Sequence, residues 1–154
     1  MGCDIHWVLE KHYESGWIGV YSSNESLLPS GSTGNTKINP SKDSWFITTL
    51  SNRNYPFFAR LAGVRGAGPE PRGIPVDISQ LAKAEIDLWG EAAHSHSWAS
   101  AQEFITAWLD DESRINYITN RFIGEPPDQY NRLLGLTTDY HNISDYRVVY
   151  WFDN

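Results

Sequence analysis

Sulfur is nearly missing from this chain, which has one cysteine, Cys3, and one methionine, Met1, among 154 residues. A single Cys permits no intramolecular disulfide and suits a reducing cytosol. Long apolar runs are missing too, and none approaches the roughly 18 residues of a membrane span. The opening Met1–His6 lacks a basic stretch followed by an apolar one, so no signal peptide is expected. Gly2 and Cys3 would suit a lipid anchor, but myristoylation asks for Ser or Thr where His6 stands. Positive charge is scarce: 12 Lys and Arg against 19 Asp and Glu give a net charge of −7. That argues against binding to DNA or RNA polymers. Three phosphate or acyl-transfer signatures are also lacking. No Gly-Lys-Ser/Thr follows the Gly-rich stretch, no clear strand precedes it, and no G-x-S-x-G elbow occurs.

Aromatic residues are abundant, at 14% of the chain with seven Trp and eight Tyr. They bury large areas and stack well on bases. The length fits one domain, residues 1–154. Residues 4–10 read as a strand, with Ile5, Trp7 and Leu9 on one face and Asp4, His6, Val8 and Glu10 on the other, ordinarily solvated, face. Residues 17–21 read as its hairpin partner across a polar loop from Lys11 to Gly16. The Ser/Asn/Gly/Pro-rich stretch 22–43 is a surface loop or a lid over a ligand, and both readings stay open. Trp45–Leu50 reads as a short strand or a helix start.

Asn54–Leu61 reads as a helix with Pro56 in its first turn, and Gly63–Pro75 as a loop. A helix over 78–90 begins at an Asp77 or Ser79 cap and ends near Gly90. Residues 93–98 read as a polar turn. Ser100 and Glu103 then form a capping box for a helix whose apolar stripe runs from Phe104 through Trp108 to Phe122. The acidic cluster Asp110-Asp111-Glu112 is a candidate break in it. Glu125-Pro126-Pro127 closes the helical part, and Arg147–Phe152 reads as a final strand. These elements predict an α+β fold: a small antiparallel sheet including both terminal strands, with helices packed on one side.

Three groups of residues carry chemistry. His94-x-His96 in extended backbone would set both rings on one face. Two imidazoles there serve as ligands of a transition metal, or as acid and base; alternatively the segment is a capping turn. Asp4-x-His6 follows the same spacing, and an Asp beside a His fixes its tautomer. If the His94 turn docks on that strand, Asp4, His6, His94 and His96 form one catalytic group, which Asp153 would join if the final strand lies beside the first. The third group is arginine. Arg53, Arg60, Arg65 and Arg72 stand against one acid, Glu70, over residues 53–72. Arg forks match phosphate bidentately, and the glycines among them can aim N–H groups at an anion. Trp45, Tyr55 and Trp98 are candidates for stacking on a base. The alternative is a solvated loop of Arg–carboxylate pairs. Whether a metal or other cofactor is needed stays open.

The opening M-G-C-D-I-H, the stretch R-N-Y-x-x-F-A-x-L-A-G-V-R at 53–65, A-H-S-H-S-W at 93–98 and the terminal W-F-D-N together resemble a group of small proteins encoded by tailed phages. The resemblance spans nearly the whole length. It implies a phage origin and a bacterial host cytoplasm rather than a reaction, and phage accessory proteins often cleave or sequester nucleotide signals of host defence. The leading expectation is an accessory protein acting on a phosphate-containing small molecule, a nucleotide in the first place, as a His-based or metal-assisted phosphoesterase. The alternatives are a non-catalytic nucleotide-sequestering protein and a protein-binding inhibitor whose acidic second half faces a host factor. A homo-oligomer stays open.

Overall fold

The structure, a computed structural model, describes residues 2–23, 53–109 and 143–154. Four strands form one antiparallel sheet: β1 (Ile5–Tyr13), β2 (Gly16–Ser22), β3 (His94–Ser100) and β4 (Tyr146–Phe152), in the order β2-β1-β4-β3. Both terminal strands lie side by side at its centre, with Ile5 opposite Phe152 and Lys11 opposite Tyr146. The α+β class and the sheet built on the terminal strands therefore hold. The β1–β2 connection is tighter than the six-residue loop read from sequence. Strand pairing continues to Tyr13 opposite Gly16, leaving Glu14 and Ser15 as the turn, and Gly16 takes the positive φ of 113° that closes it.

Three helices follow their local signals. In α1 (Tyr55–Ala62) the Asn54 side chain accepts from the Phe57 N–H at 3.3 Å, and Gly63 ends the helix in left-handed backbone at φ 66°. In α2 (Gln80–Trp89) Ser79 caps the start and Gly90 ends the helix. In α3 (Ala101–Leu109) Ser100 and Glu103 exchange the reciprocal bonds of a capping box at 3.1 and 2.9 Å. The segments Trp45–Leu50, Asp110–Glu112, Glu125–Pro127, the remainder of the helix toward Phe122 and almost all of loop 22–43 lie outside the described residues.

The helices divide between the two sides of the sheet, which corrects the expectation of a single covered side. Ile5, Trp7 and Leu9 of β1 join Val148, Tyr150 and Phe152 of β4 beneath Phe57, Phe58 and Leu61 of α1 and Phe104 and Trp108 of α3. The opposite face packs Val8, Val149 and Trp151 under Ala82 and Ile86 of α2. The physical reason is that β4 is buried along its whole length. A strand apolar on both faces needs a layer on each.

That second face also buries charge. Arg147 donates from Nε to Glu10, from Nη1 to Asp77 at 2.8 Å and from Nη2 to the Asp77 carbonyl at 3.1 Å. The remaining Glu10 oxygen accepts the Ser79 N–H at 2.7 Å, tying the start of α2 to β1. The Arg147 guanidinium sits 4.1 Å from the Trp17 ring centroid and 5.9 Å from that of Trp98. Further along α2, the Ser22 hydroxyl donates to the buried Glu85.

Candidate functional site

The two His motifs meet different backbones. Strand β1 keeps its alternation, so His6 falls on the α2 face opposite Trp151. Its ring lies 3.9 Å, centroid to centroid, from that of Trp89 at the end of α2. Its Nε2 stands 3.2 Å from Asp153 Oδ2, while Asp153 Oδ1 accepts the Asp4 N–H at 2.9 Å. Asp153 therefore orients His6, the role the sequence offered first to Asp4. The Asp4 carboxylate is engaged elsewhere, by Arg53 at 2.9 and 3.2 Å. That guanidinium holds the Asp4 carboxyl below its usual range.

Residues 93–98, read as a turn, are largely strand, but the strand is broken at one point. Ser95 takes φ 52°, and the register jumps from His94 opposite Phe152 to Ser97 opposite Tyr150. Two residues, Ser95 and His96, thus span the place opposite Trp151, as in a β-bulge. The His94 ring stacks on Phe152, on the α1/α3 face, at 6.3 Å. His6 and His94 consequently lie on opposite faces of the sheet, and the four-residue group His6, His94, His96 and Asp4 does not assemble around one point. His94 Nδ1 stands 3.0 Å from Ser95 Oγ. The Nε2 atoms of both His94 and His96 are enclosed with no hydrogen-bond partner among the described residues. Burial, and then the neighbouring His94, push the His96 pKa down from its ordinary value.

Arg53, Arg60 and Arg72 bind carboxylates or carbonyls elsewhere in the protein. Arg53 holds Asp4. Arg60 donates to the Ala107 carbonyl at 2.6 Å, pinning α1 to α3. Arg72 grips Glu103 with both Nη atoms at 3.0 and 3.1 Å and lies 5.0 Å from the Trp98 ring centroid. Trp98 is thus covered by Arg72 rather than set out to receive a base, and Trp45 lies outside the described residues. The pairing of loop arginines with carboxylates, offered as an alternative in the sequence, describes Arg53 and Arg72.

Arg65 is engaged as well, and it borders a cavity. It hydrogen-bonds the Cys3 thiol, whose pKa burial nonetheless raises, and it lies 5.8 Å from the Tyr55 ring centroid. The loop Gly63–Pro71 that carries it borders an open cavity of about 600 Å³, lined on its other side by His94 and Ser95. The loop is held tightly against α1. A Cβ on Gly68 would fall 1.7 Å from the Ala59 carbonyl oxygen, so only Gly fits there. Among the described residues two non-glycine residues have positive φ, Arg65 at 60° and Ser95 at 52°, and both line this cavity. Left-handed backbone at such residues is uncommon and concentrates at functional sites. Sequence reasoning found Arg65 by composition and His94 by spacing. Ser95 was missed, because nothing in H-S-H marks the residue that leaves the strand conformation.

No group of three or more His, Cys, Asp or Glu with metal-binding geometry occurs among the described residues. No helix among them is long and apolar enough to cross a membrane. Fold and site together define an α+β domain with a loop-and-strand cavity that presents one arginine. No family model, curated protein or solved structure matches the chain.

Proposed function

We propose that this chain binds a phosphate-containing small molecule of the nucleotide class in the cavity between the Gly63–Pro71 loop and β3. In this reading it is a phage accessory protein that withholds such a molecule in the host cytoplasm. The observation that carries it is the convergence on one cavity of Arg65, His94 and Ser95, with both left-handed residues on its walls. An Arg fork suits a phosphate oxygen pair, and a loop fixed by a close glycine contact loses little entropy when it closes on a ligand.

Turnover is the second reading, favoured by the His94–Ser95 contact, since a hydroxyl against an imidazole is the arrangement of a nucleophile and its base. One experiment separates the two. The protein is incubated with linear and cyclic nucleotides, and the free compound is measured by chromatography before and after heat denaturation. Depletion that is reversed by denaturation means sequestration, and permanent loss of the intact compound means turnover. No depletion of any compound would sink both readings. Arg65→Ala is expected to weaken binding by about 1.5–3 kcal/mol, the scale of a charge-assisted hydrogen bond. Calorimetry showing unchanged affinity with the fold intact would remove Arg65 from the site.

A further inference from the structure

The His94–Ser95 contact has a direction, and the enclosed His94 Nε2 decides it. A neutral imidazole carries its proton on one nitrogen only. If Ser95 donated its hydroxyl proton to Nδ1, the ring proton would sit on Nε2, which has no acceptor among the described residues. A buried N–H without an acceptor is the rarer and costlier orphan. With the proton on Nδ1, His94 donates to Ser95 Oγ across the 3.0 Å contact, and Nε2 is left as a bare lone pair. Stacking on Phe152 fixes the ring plane for this bond.

We infer, resting on the cavity reading above, that Ser95 is a ligand-binding residue: His94 occupies its oxygen as a donor and thereby turns its own O–H toward an anionic oxygen of the phosphate class held by Arg65. His94 is then a positioning residue and not a base. A hydroxyl already accepting a hydrogen bond is the stronger donor, and the left-handed backbone at Ser95 is what brings its side chain to the cavity wall rather than into the strand's alternation. The arrangement favours a bound oxyanion over an attacked one, because a proton-bearing Nδ1 cannot accept the hydroxyl proton.

The test uses AMP and inorganic phosphate as probes on the whole chain. Ser95→Gly keeps the left-handed backbone without strain and removes the hydroxymethyl side chain. It is expected to weaken AMP binding at least tenfold, and ¹H–¹⁵N spectra of the His94 ring in the native protein should show the proton on Nδ1. His94→Phe, which keeps the stacking on Phe152, should weaken binding less than Ser95→Gly does, since the hydroxyl stays but loses its orientation. Native binding of AMP with undiminished affinity in Ser95→Gly overturns the role of Ser95 and leaves the cavity reading standing. A proton found on Nε2 overturns the direction of the contact. If the native chain binds neither probe, the cavity reading falls and takes this one with it.

Discussion

On the face under α1 and α3, β4 presents Tyr146, Val148, Tyr150 and Phe152, and the closing layer is aromatic as well, with Phe57 against Phe104 at 5.3 Å and Phe58 against Phe152 at 5.2 Å. On the face under α2, the same strand presents Arg147, Val149 and Trp151, and the layer above it is anchored by carboxylates. Both faces are buried and carry an apolar cluster, yet the second adds a buried charge network. Aromatic packing tolerates small shifts of a helix, whereas an Arg fork on two carboxylates does so poorly. By this argument α2 is held in register by Glu10, Asp77 and Arg147, and it is α2 that sets Trp89 against His6.

The sharpest way to break this contrast is Arg147→Ala. Removing the cation leaves Glu10, which has no exposed surface, as an uncompensated buried charge. The expected loss is about 3–5 kcal/mol of stability, read by denaturant unfolding. Replacing Arg147 and Glu10 together by Met should recover much of that loss, because the pair's net worth is smaller than the cost of breaking it. A single variant as stable as the native chain would show that the network does not anchor α2.

The sequence made the two faces legible in unequal measure. Caps are local, and Ser79, Gly90 and Ser100 with Glu103 act where their spacing puts them, while Asn54 and Gly63 prove to be the caps of α1 as well. The apolar alternation of β1 likewise predicted its aromatic side. The polar alternation of Asp4, His6, Val8 and Glu10 suggested a solvated face, and it is covered. The reason is distance along the chain: the partner that makes a buried Glu10 tolerable is 137 residues away. The arginine cluster was visible as composition, but composition does not show that Asp4 and Glu103 engage two of its members. From sequence Asp153 is a candidate beside His6 only on the condition that the terminal strands are neighbours, which they are.

The two His motifs carry the same contrast at smaller scale, since regular backbone gives His6 a partner and a bulge takes His94 out of step. Ser95 at φ 52° is the hinge of that difference. Ser95→Val places a β-branched residue in left-handed backbone and is expected to cost about 1–3 kcal/mol. Ser95→Gly, in which the conformation is unstrained, loses only the acceptor of the His94 ring and should be destabilised less than Ser95→Val. Thermal or denaturant unfolding distinguishes them. Equal stability of the Val and Gly variants would mean that β3 can resume regular pairing without penalty, and the bulge would then not be a fixed feature of the cavity wall.

The smallest expected effect concerns pH and separates His96 from the ion-paired carboxylates. Burial first, and His94 second, hold the His96 pKa below the ordinary 6.5. Well above that value the imidazole is neutral whether the chain is folded or unfolded, and it contributes no pH dependence. As the pH falls below 6.5, the unfolded chain takes up a proton that the folded chain resists, so stability declines until the lower, folded pKa is reached. The slope cannot exceed about 1.4 kcal/mol per pH unit, the one-proton limit, and partial burial makes it shallower. Asp4, Asp77 and Glu103 behave differently. Their arginine partners lower their pKa values, so the stability they add is present above the ordinary carboxylate range and is lost only as the pH drops through and beneath it. His96→Leu removes the titrating ring and the unpaired nitrogen together. It should flatten the decline that begins below pH 6.5 while leaving the carboxylate transition in place. Denaturant unfolding across that range, native against variant, reads the difference. Parallel curves would show that His96 takes up its proton as readily in the folded chain as in the unfolded one.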